Sequence, residues 1–430
     1  MDSADAKTVL VQIYQAAIAA VAPGPALVRA LENEPVDDPV WLIALGKAAA
    51  PMAEAAVRTL ADSRRAPAGG LIVAPDETSA PHPSLSVVVG DHPEPGAGSL
   101  AAADALERLV NAIPPDHTVW VLLSGGTTSL VGAPQPGIAA VELKALYGRL
   151  LRSGLDIKEM NRVRKRFTRW SGGRLARSLA HTSLHCYIVS DVIGDDLAAI
   201  ASGPCVPDPS TARDVHDGLV RAGLWDSLGP SLRHHLDDVE HGRTPETPKP
   251  EDPVFARVTS TLIATNRLAL EAAARRAGEA GLVPEIADAP LVGEAVIAGA
   301  RIADQLLAGD CPSQLSRCLI LGGETTVTIG DRGAGVGGRS QELALAAAQV
   351  LRGTPTVALL AAGTDGRDGP TDAAGAIVDG TTWSRIAATG RDPESDLHRH
   401  DSYTALASAD ALVKTGPTGT NVMDVVIAVR

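Results

Sequence analysis

The stretch LGGETTVTIGDRGAGVGGRSQE, residues 321–342, decides how the second half of the chain is expected to fold. It predicts an apolar strand over 318–321, a turn, a short β-branched strand over 326–329, a loop with five glycines, and a helix that begins at Arg339. Glycine lets the backbone approach a ligand closely, and the start of a helix carries partial positive charge. The stretch therefore predicts a site for an anion, and phosphate is the anion we expect.

Two other interpretations of this loop remain open. Gly333, Gly335 and Gly338 have the spacing of a dinucleotide-binding loop between a strand and a helix. Such a site also needs a ribose-binding acid roughly 20 residues further on. The carboxylate found there, Asp365, lies inside a Gly-Thr-Asp-Gly turn, and Arg339 fits phosphate oxygens better than a neutral nicotinamide. The second alternative is a hairpin loop that binds no ligand.

The length and composition of the chain favour two α/β domains. A chain of 430 residues exceeds the size at which single hydrophobic cores stop growing. Hydrophobic residues make up 45% and aromatic residues only 3%, so we expect cores of Ala, Leu, Val and Ile between short elements. The proline-rich segment 244–250 is typical of a linker. We therefore predict a Rossmann-like N-terminal domain at 1–243 and a smaller C-terminal domain at 251–430, both with mostly parallel sheets.

Charge and hydropathy exclude several classes of partner. The net charge of −13 argues against a nucleic-acid or anionic-membrane surface, because both need a basic face on the protein. No run of 18 apolar residues occurs, and the N-terminal segment lacks the basic region of a signal peptide. The four cysteines form no C-x-x-C pair, so neither a zinc knuckle nor a redox motif is predicted. We expect a cytoplasmic protein, either a monomer or a homodimer, with small-molecule substrates.

A lysine follows the first predicted strand of the N-terminal domain. The run VWLIAL, residues 40–45, predicts a buried strand, Gly46 and Lys47 follow, and a helix is expected over 48–60. This is no Walker A motif, since Trp41 stands where its first glycine would be and Ala48 where Ser or Thr would be. Open α/β sheets nevertheless bind ligands at the carboxyl ends of their strands. Lys47 is therefore a candidate ligand contact, with a solvated loop charge as the alternative.

A second glycine loop resembles the first. The apolar run 118–123 meets Ser124-Gly-Gly-Thr-Thr-Ser, which parallels the Gly-Gly-Glu-Thr-Thr that begins at Gly322. The two turns lie about 200 residues apart, so each domain is expected to present a loop rich in glycine and hydroxyl groups at a strand end. We predict that a cleft between the domains is lined by both loops.

Two further features suggest groups that bind a phosphate, either directly or through Mg²⁺. The apolar run 186–190 leads into Asp191, with Asp195 close behind, and Mg²⁺ takes one or two carboxylates together with water and phosphate oxygens. Asp191 and Asp195 are candidate magnesium ligands, although Asp195 could equally cap the helix that follows. Segment 158–177 carries eight basic residues against one acid. Most of these are expected to form a solvated face, and Arg164 is the candidate for a contact with phosphate.

Taken in order, segments spread over nearly the whole chain resemble those of class II glycerate kinases, the MOFRL type of glycerate 2-kinase. The matching segments are LGKA (45–48), SGG (124–126), NRVRK (161–165), SDVIGD (190–195), SGP (202–204), GGETT (322–326), GGRSQE (337–342), AGTDGRDGPTD (362–372) and TGPTGTN (415–421). The resemblance implies two α/β domains with ATP, Mg²⁺ and D-glycerate in an interdomain cleft, and 2-phosphoglycerate as the product.

The resemblance also implies roles for individual residues. The expected reacting centre consists of Lys47, Arg339, Asp365 and Asn421. Lys47 and Arg339 would stabilise charge on the transferred phosphoryl group, since phosphoryl transfer depends on positioning and charge neutralisation. Asp365 would orient or deprotonate the attacking hydroxyl or bind Mg²⁺, and Asn421 would hold the acceptor hydroxyl or a phosphate oxygen. The remaining expected contacts with substrate and nucleotide are Ser124, Gly125, Gly126, Thr127, Arg164, Gly322, Gly323, Glu324, Gly337 and Gly338.

Three residues depart from the family pattern, and two other activities are the alternatives to a glycerate kinase. Ser340, Arg166 and Asp401 replace residues usual in the family, which leaves another small sugar acid open as the substrate. A hydroxypyruvate reductase that uses NAD(P)H is the alternative enzyme. It would need an acid/base histidine near the glycine loop, and the nearest, His398 and His400, lie in a polar segment. A sugar-acid binding protein without catalysis is less consistent with a phosphate loop in each domain.

Overall fold

The chain folds into two compact units, one of which contains both ends of the sequence. The computed structural model describes residues 3–32, 39–155, 157–308, 316–330, 335–354 and 356–430. One unit, called here the central unit, is Pro23–Ile263. The other, called here the terminal unit, joins Met1–Ala22 to Ala264–Arg430.

Helices and strands alternate along most of the chain, as expected for an α/β protein. The strands are β1 (Val40–Leu45), β2 (Gly69–Ala74), β3 (Leu85–Val89), β4 (Thr118–Leu123), β5 (Ser183–Val189), β6 (Val258–Ala264), β7 (Val283–Ile286), β8 (Arg317–Gly323), β9 (Ala358–Gly363), β10 (Gly375–Asp379), β11 (Leu412–Val413) and β12 (Asp424–Val429). The helices are α1 (Ser3–Ala20), α2 (Pro23–Leu31), α3 (Ala49–Asp62), α4 (Ala97–Ala112), α5 (Thr127–Leu130), α6 (Ala140–Leu151), α7 (Ile157–Phe167), α8 (Arg174–Ser178), α9 (Ala212–Arg221), α10 (Pro230–Glu240), α11 (Asn266–Glu279), α12 (Ala295–Ala308), α13 (Arg339–Leu351), α14 (Thr382–Ala388), α15 (Pro393–His398) and α16 (Ser402–Ser408).

The sheet of the central unit has the strand order β3-β2-β1-β4-β5-β6. The pairs β3–β2, β2–β1, β1–β4 and β4–β5 are parallel. Strands β1, β2 and β4 are continuous apolar runs because helices cover both faces of such a sheet, and nearly all their residues are buried. The chain reverses its direction of winding between β1 and β4, which makes the carboxyl ends of these strands the topological switch point where open α/β sheets bind ligands.

The sheet of the terminal unit departs from the mostly parallel arrangement predicted for it. Its order is β11-β10-β9-β12-β8-β7. The last strand, β12, lies between β8 and β9 and is antiparallel to both, and β10 is antiparallel to β9 and β11. Only the edge pair β7–β8 is parallel. The prediction failed here because strand direction depends on where each connection crosses the sheet, which residue patterns do not encode. The α/β class itself is confirmed.

The short strand predicted at 326–329 is also absent. Thr326 makes a single bridge with Glu294, and residues 327–330 form no strand. The Glu294 carboxylate instead accepts hydrogen bonds from the hydroxyls of Thr326 and Thr328 at 3.2 and 2.7 Å and from the Thr328 backbone N–H at 3.2 Å. A side chain thus supplies the acceptors that a neighbouring strand would have supplied.

The unit boundaries differ from the predicted domain limits at both ends of the central unit. Helix α1 belongs to the terminal unit, where it packs against α11, because its apolar face is fully buried there. The buried residues of that face are Leu10, Ile13, Tyr14, Ala17 and Val21. At the other end, β6 joins the sheet of the central unit, so this unit continues past the predicted linker at 244–250.

In the described part of the chain no single helix is long and apolar enough to cross a membrane. Helices α1 and α2 reach that length and apolar composition only when taken together, and the pair is bent by 49° at the break between them.

Helix α13 is the central helix of the terminal unit. From Ser340 to Ala348 every residue is buried, and the helix packs closely against α12. This contact depends on Gly299 of α12, because a Cβ atom built there would lie 2.2 Å from the carbonyl oxygen of Leu343. The two helix backbones are therefore closer than any larger residue would allow.

We expect the substitution Gly299→Ala to lower the free energy of unfolding by about 1–3 kcal/mol, because the added methyl overpacks the helix contact. Gly278→Ala on α11 is the matched control, since nothing lies within 4 Å of its added Cβ. That control should be neutral or stabilise the protein by about 0.5–1 kcal/mol through helix propensity. Urea unfolding of the three proteins measures the effect. Equal stability of the Gly299→Ala variant and the wild type would contradict the close packing.

Candidate active site

The carboxyl ends of β1 and β4 hold Lys47 and the loop of Ser124 together. The Lys47 N–H donates to the carbonyl of Gly125 at 2.9 Å, and the Ala48 N–H donates to the Ser124 hydroxyl at 2.9 Å. The Thr127 hydroxyl donates to the carbonyl of Leu45, also at 2.9 Å. Both loops therefore form one hydrogen-bonded unit at the switch point. The roles of Lys47, Ser124, Gly125, Gly126 and Thr127 as ligand contacts stay predictions.

Asp191 follows β5 and completes this edge of the central unit. A Cβ atom built on Gly125 would lie 2.1 Å from an Asp191 carboxylate oxygen, so glycine is required for the loop and the carboxylate to meet. Burial raises the pKa of Asp191, while its backbone hydrogen bond and the nearby Lys47 oppose that rise. Lys47 is exposed. An exposed ammonium and a half-buried carboxylate thus face the same loop.

His92 also lies at this edge of the central unit, although the sequence alone did not assign it a role. A Cβ atom on Gly126 would lie 3.1 Å from Cδ2 of His92 and 3.4 Å from Cγ of Lys47, so both side chains pass over this glycine. Burial lowers the pKa of His92, and the positive charge of Lys47 lowers it further. A neutral imidazole is therefore favoured next to the lysine. Its position directly before Pro93 and Pro95, which stiffen the loop, was the available signal.

Two residues predicted for this site have other surroundings. Arg164 on α7 lies over the ring of Tyr147 at 5.0 Å from the ring centroid, a cation–π contact. Asp195 lies in a turn in which its N–H donates to the carbonyl of Val192 at 3.1 Å. Within the described ranges, the group of three side chains close enough to share a metal ion is His234, Asp237 and Asp238 on α10. A magnesium site with one or two carboxylates, as predicted for Asp191 and Asp195, is smaller than such a group.

In the terminal unit, the insertion of β12 brings three strand ends together. Asp424 begins β12 and pairs in register with Gly323 at the end of β8 and with Gly363 at the end of β9. Because β12 is antiparallel to both, its first residue lies where they finish. The predicted residues Gly322, Gly323, Glu324 and Asp365 and the loop of Asn421 therefore share one edge with Asp424.

Arg339, the first residue of α13, is held by two carboxylates. Its Nε and Nη2 donate to the two oxygens of Asp424 at 2.6 and 3.0 Å, and Nη1 donates to Glu324. Burial alone would lower the pKa of Arg339, but the hydrogen bond and charge of Asp424 outweigh it and raise the pKa. Burial raises the pKa of Asp424, and Arg339 opposes that rise. The planar guanidinium fork is thus fixed by a bidentate pair.

A carboxylate of the protein itself occupies the start of α13, where the sequence predicted a phosphate. Asp368 accepts hydrogen bonds from the backbone N–H groups of Ser340 and Gln341 at 3.1 and 2.7 Å. Burial raises its pKa to about 7, although the hydrogen bond from Gln341 opposes the rise. The helix N-terminus therefore already has an anionic partner.

The glycine loop before α13 is also engaged by the protein. Gly335 N–H donates to the carbonyl of Arg399 at 2.8 Å, and Val336 N–H donates to the Asp401 carboxylate at 3.0 Å. Gly337 and Gly338 are so close to Ser402 and Asp368 that a Cβ atom at either position would overlap them. Gly333 of the dinucleotide-binding spacing lies outside the described residues.

Asp365 and Asn421 lie in two loops that are bonded to each other. Asp365 accepts from the N–H of Arg367 at 2.9 Å, and its carbonyl accepts from the N–H of Thr418 at 3.2 Å. Asn421 accepts from the N–H of Met423 at 3.1 Å. Met423 has a φ of 71°, a strained conformation for a residue with a side chain, and it separates Asn421 from Asp424. Strain of this kind persists where the surrounding structure imposes it, commonly at functional sites.

Asp368 and Asp424 were not predicted as site residues, although both could have been suspected. Asp368 belongs to the Gly-Thr-Asp-Gly-Arg-Asp-Gly turn, where Asp365 was chosen instead. Asp424 directly precedes the apolar run 425–429 and lies three residues after Asn421. Together with Glu324 they give this edge three carboxylates around one arginine. Such a group can position a hydroxyl and accept its proton.

Comparison with known proteins identifies the family. Residues 9–237 match a domain of unknown function, DUF4147, and residues 317–424 match the MOFRL family. The chain is 39% identical over 393 residues to a glycerate 2-kinase of Pyrococcus horikoshii, with 91% of this chain and 87% of that protein covered. It is 38% identical over 429 residues to a D-glycerate 2-kinase of Thermotoga maritima, with 99% of each covered.

Two further comparisons concern the fold and the alternative activity. A crystal structure of a glycerate kinase from Thermotoga maritima superimposes with a TM-score of 0.88 at 37% identity and covers 99% of both chains. A putative hydroxypyruvate reductase of Agrobacterium vitis is 37% identical over 423 residues, with 98% of this chain and 93% of that protein covered. The chain belongs to the DUF4147 and MOFRL family, the family of the class II glycerate 2-kinases.

Proposed function

We propose that this protein is a glycerate 2-kinase, which transfers the γ-phosphoryl group of ATP to the 2-hydroxyl of D-glycerate and gives 2-phosphoglycerate. The observation that carries the proposal is the placement of the four expected reacting groups next to strand ends and a helix start. In the central unit Lys47 follows β1, and in the terminal unit Asp365 follows β9, Asn421 precedes β12 and Arg339 begins α13. Relatives named as glycerate 2-kinases at 38–39% identity support the choice of substrate.

The edge of the central unit suits the phosphates of ATP. Lys47 is exposed at the switch point of a parallel sheet, and its backbone is fixed by Gly125, so its ammonium group can neutralise charge that develops on a transferred phosphoryl group. Asp191 offers the carboxylate oxygen that Mg²⁺ prefers, next to the same loop. Mg²⁺ bound there would neutralise phosphate charge, and Asp195 stays a predicted second ligand.

The edge of the terminal unit suits the acceptor. Asp365 is half-buried next to Asp424, which suits a carboxylate that orients the 2-hydroxyl and accepts its proton. Asn421 can hold the hydroxyl or a phosphate oxygen through its amide. Arg339 stays protonated at any working pH because Asp424 and Glu324 stabilise its charge. That both units act on one glycerate and one ATP stays a prediction.

The reaction itself is tested by incubating the purified protein with D-glycerate and Mg·ATP and following the products by ³¹P NMR. We expect ADP and 2-phosphoglycerate to form together, and omission of Mg²⁺ to stop the reaction. A parallel incubation with hydroxypyruvate and NADH should leave the absorbance at 340 nm unchanged. Oxidation of NADH without ADP release would instead support the reductase alternative, and 3-phosphoglycerate as the product would contradict the choice of hydroxyl.

Lys47→Ala should lower kcat by about 10²–10³-fold, because it removes a cation that stabilises the transferred phosphoryl group. Its thermal unfolding temperature should not change, since the side chain is exposed. Lys144→Ala, which removes another exposed lysine of the central unit, is the matched control and should keep full activity. A Lys47→Ala enzyme with more than half of the wild-type kcat would refute the assignment.

Arg339→Ala should abolish activity and also reduce stability, because it leaves the buried carboxylate of Asp424 without its partner. We expect a loss of about 2 kcal/mol in the free energy of unfolding, at the low end for a buried pair because Arg339 is partly exposed. The double variant Arg339→Ala/Asp424→Asn removes the unpaired charge, so it should recover part of the stability without recovering turnover. Restored turnover in the double variant would show that Arg339 acts on the fold and not on the reaction.

A further inference from the structure

Helix α1, from the first residues of the chain, contacts the loop that carries Asp365. Tyr14 of this helix is fully buried, and its hydroxyl donates a hydrogen bond of 2.5 Å to the carbonyl oxygen of Gly363. Gly363 is the last residue of β9, and Asp365 follows two residues later. The phenol therefore fixes the peptide from which the Asp365 turn begins.

Val21, the residue directly after this helix, holds the loop that carries Asn421. The Thr420 hydroxyl donates to the carbonyl oxygen of Val21 at 2.8 Å, and Thr420 is 4% exposed. Asn421 is the next residue. One helix, more than 340 residues away in sequence, thus contacts both loops through two separate hydrogen bonds, one formed by Tyr14 and one formed by Val21.

The two loops are also bonded to each other, so a change at one contact reaches both. The buried Thr364 hydroxyl donates to the carbonyl of Met423 at 2.6 Å and accepts from the N–H of Val422 at 2.8 Å. The Thr418 hydroxyl donates to the carbonyl of Thr364 at 2.6 Å. These bonds hold the loops of Asp365 and Asn421 in fixed positions relative to each other, and α1 anchors both loops to the rest of the terminal unit.

We propose that Tyr14 and Thr420 are positioning residues, which set the places of Asp365 and Asn421 for phosphoryl transfer by anchoring both loops to α1. The inference rests on the proposed glycerate kinase activity and deepens it, since neither residue need touch a substrate. The packing of α1 is already supplied by Leu10, Ile13 and Ala17, all fully buried, and a phenylalanine would fill the place of the Tyr14 ring equally well. The hydroxyl is thus the part of Tyr14 that packing does not require.

The electrostatic surroundings of Tyr14 agree with a donor role. Burial raises the pKa of the phenol, and the charges of Asp365, Asp424 and Asp368 raise it further. The hydroxyl therefore keeps its proton throughout the working pH range and always donates to Gly363.

The first test compares Tyr14→Phe with the wild type in the glycerate and Mg·ATP assay. We expect kcat to fall about tenfold per folded molecule, because loss of one hydrogen bond allows the reacting group to shift. The acidic limb of the pH profile of kcat should move as well, since the loop changes its distance from Asp368 and Asp424, two carboxyls whose pKa values are raised by burial. A variant that was only less stable would show a lower rate at every pH, and the shape of its pH profile of kcat would not change. Tyr403→Phe, which removes a more exposed phenol of the same unit, is the matched control and should keep the wild-type profile.

The second test uses the other anchor. Thr420→Val keeps the shape of the side chain but cannot donate to Val21, whereas Thr420→Ser keeps the hydroxyl. We expect Thr420→Val to reproduce the loss in kcat and the altered pH profile, and Thr420→Ser to retain most of the activity. Wild-type kcat and pH profile in both Tyr14→Phe and Thr420→Val would overturn the inference.

A third measurement does not depend on the reaction. Hydrogen exchange of the backbone N–H groups of Arg367 and Thr418, which close the Asp365 turn, should accelerate in Tyr14→Phe and not in Tyr403→Phe. If the wild type lacks glycerate kinase activity, the proposed function fails, and this measurement still decides the anchoring. Unchanged exchange at both amides would overturn it.

Discussion

The terminal unit depends on the pairing of Asp424 with Arg339. Asp424 is buried at the start of β12, where an unpaired carboxylate would cost several kcal/mol, and the bidentate guanidinium of Arg339 compensates that cost. The pair joins the last strand of the chain to the first residue of α13. It thereby fixes the distance between the loop of Asn421 and the start of the helix that forms the centre of the core.

The two units collect functional side chains at a sheet edge in different ways. In the central unit parallel strands all finish at the same edge, and the reversal of winding between β1 and β4 leaves room there for Lys47 and the loop of Ser124. In the terminal unit the strands alternate in direction, and the edge forms because an antiparallel strand begins where its two neighbours end. Helix α1 and the residue after it then anchor the two resulting loops by hydrogen bonds.

The charged groups at the sheet edges of the two units also differ. The central unit presents an exposed lysine, a neutral histidine and one carboxylate, which suits phosphate and its magnesium ion. The terminal unit concentrates carboxylates around one arginine, and Asp368 takes the anion position at the start of α13. This edge is better suited to holding a hydroxyl and taking its proton than to binding a second phosphate. The glycine loop before α13 serves to bring backbone close to Asp368 and Ser402.

The sequence by itself determined many of the helices and strands and marked candidate site residues. Apolar runs such as 40–45 and 118–123 predicted buried strands, and the glycine loops drew attention to Lys47, Ser124, Arg339 and Asp365, because these signals are local. Only the tertiary structure decided the antiparallel insertion of β12, the membership of α1 in the terminal unit, the contact of Arg164 with Tyr147, and the roles of Asp368 and Asp424 as partners of α13. Each of these depends on contacts between residues far apart in the chain, where many pairings satisfy the same local pattern and only the packing of the whole unit selects one.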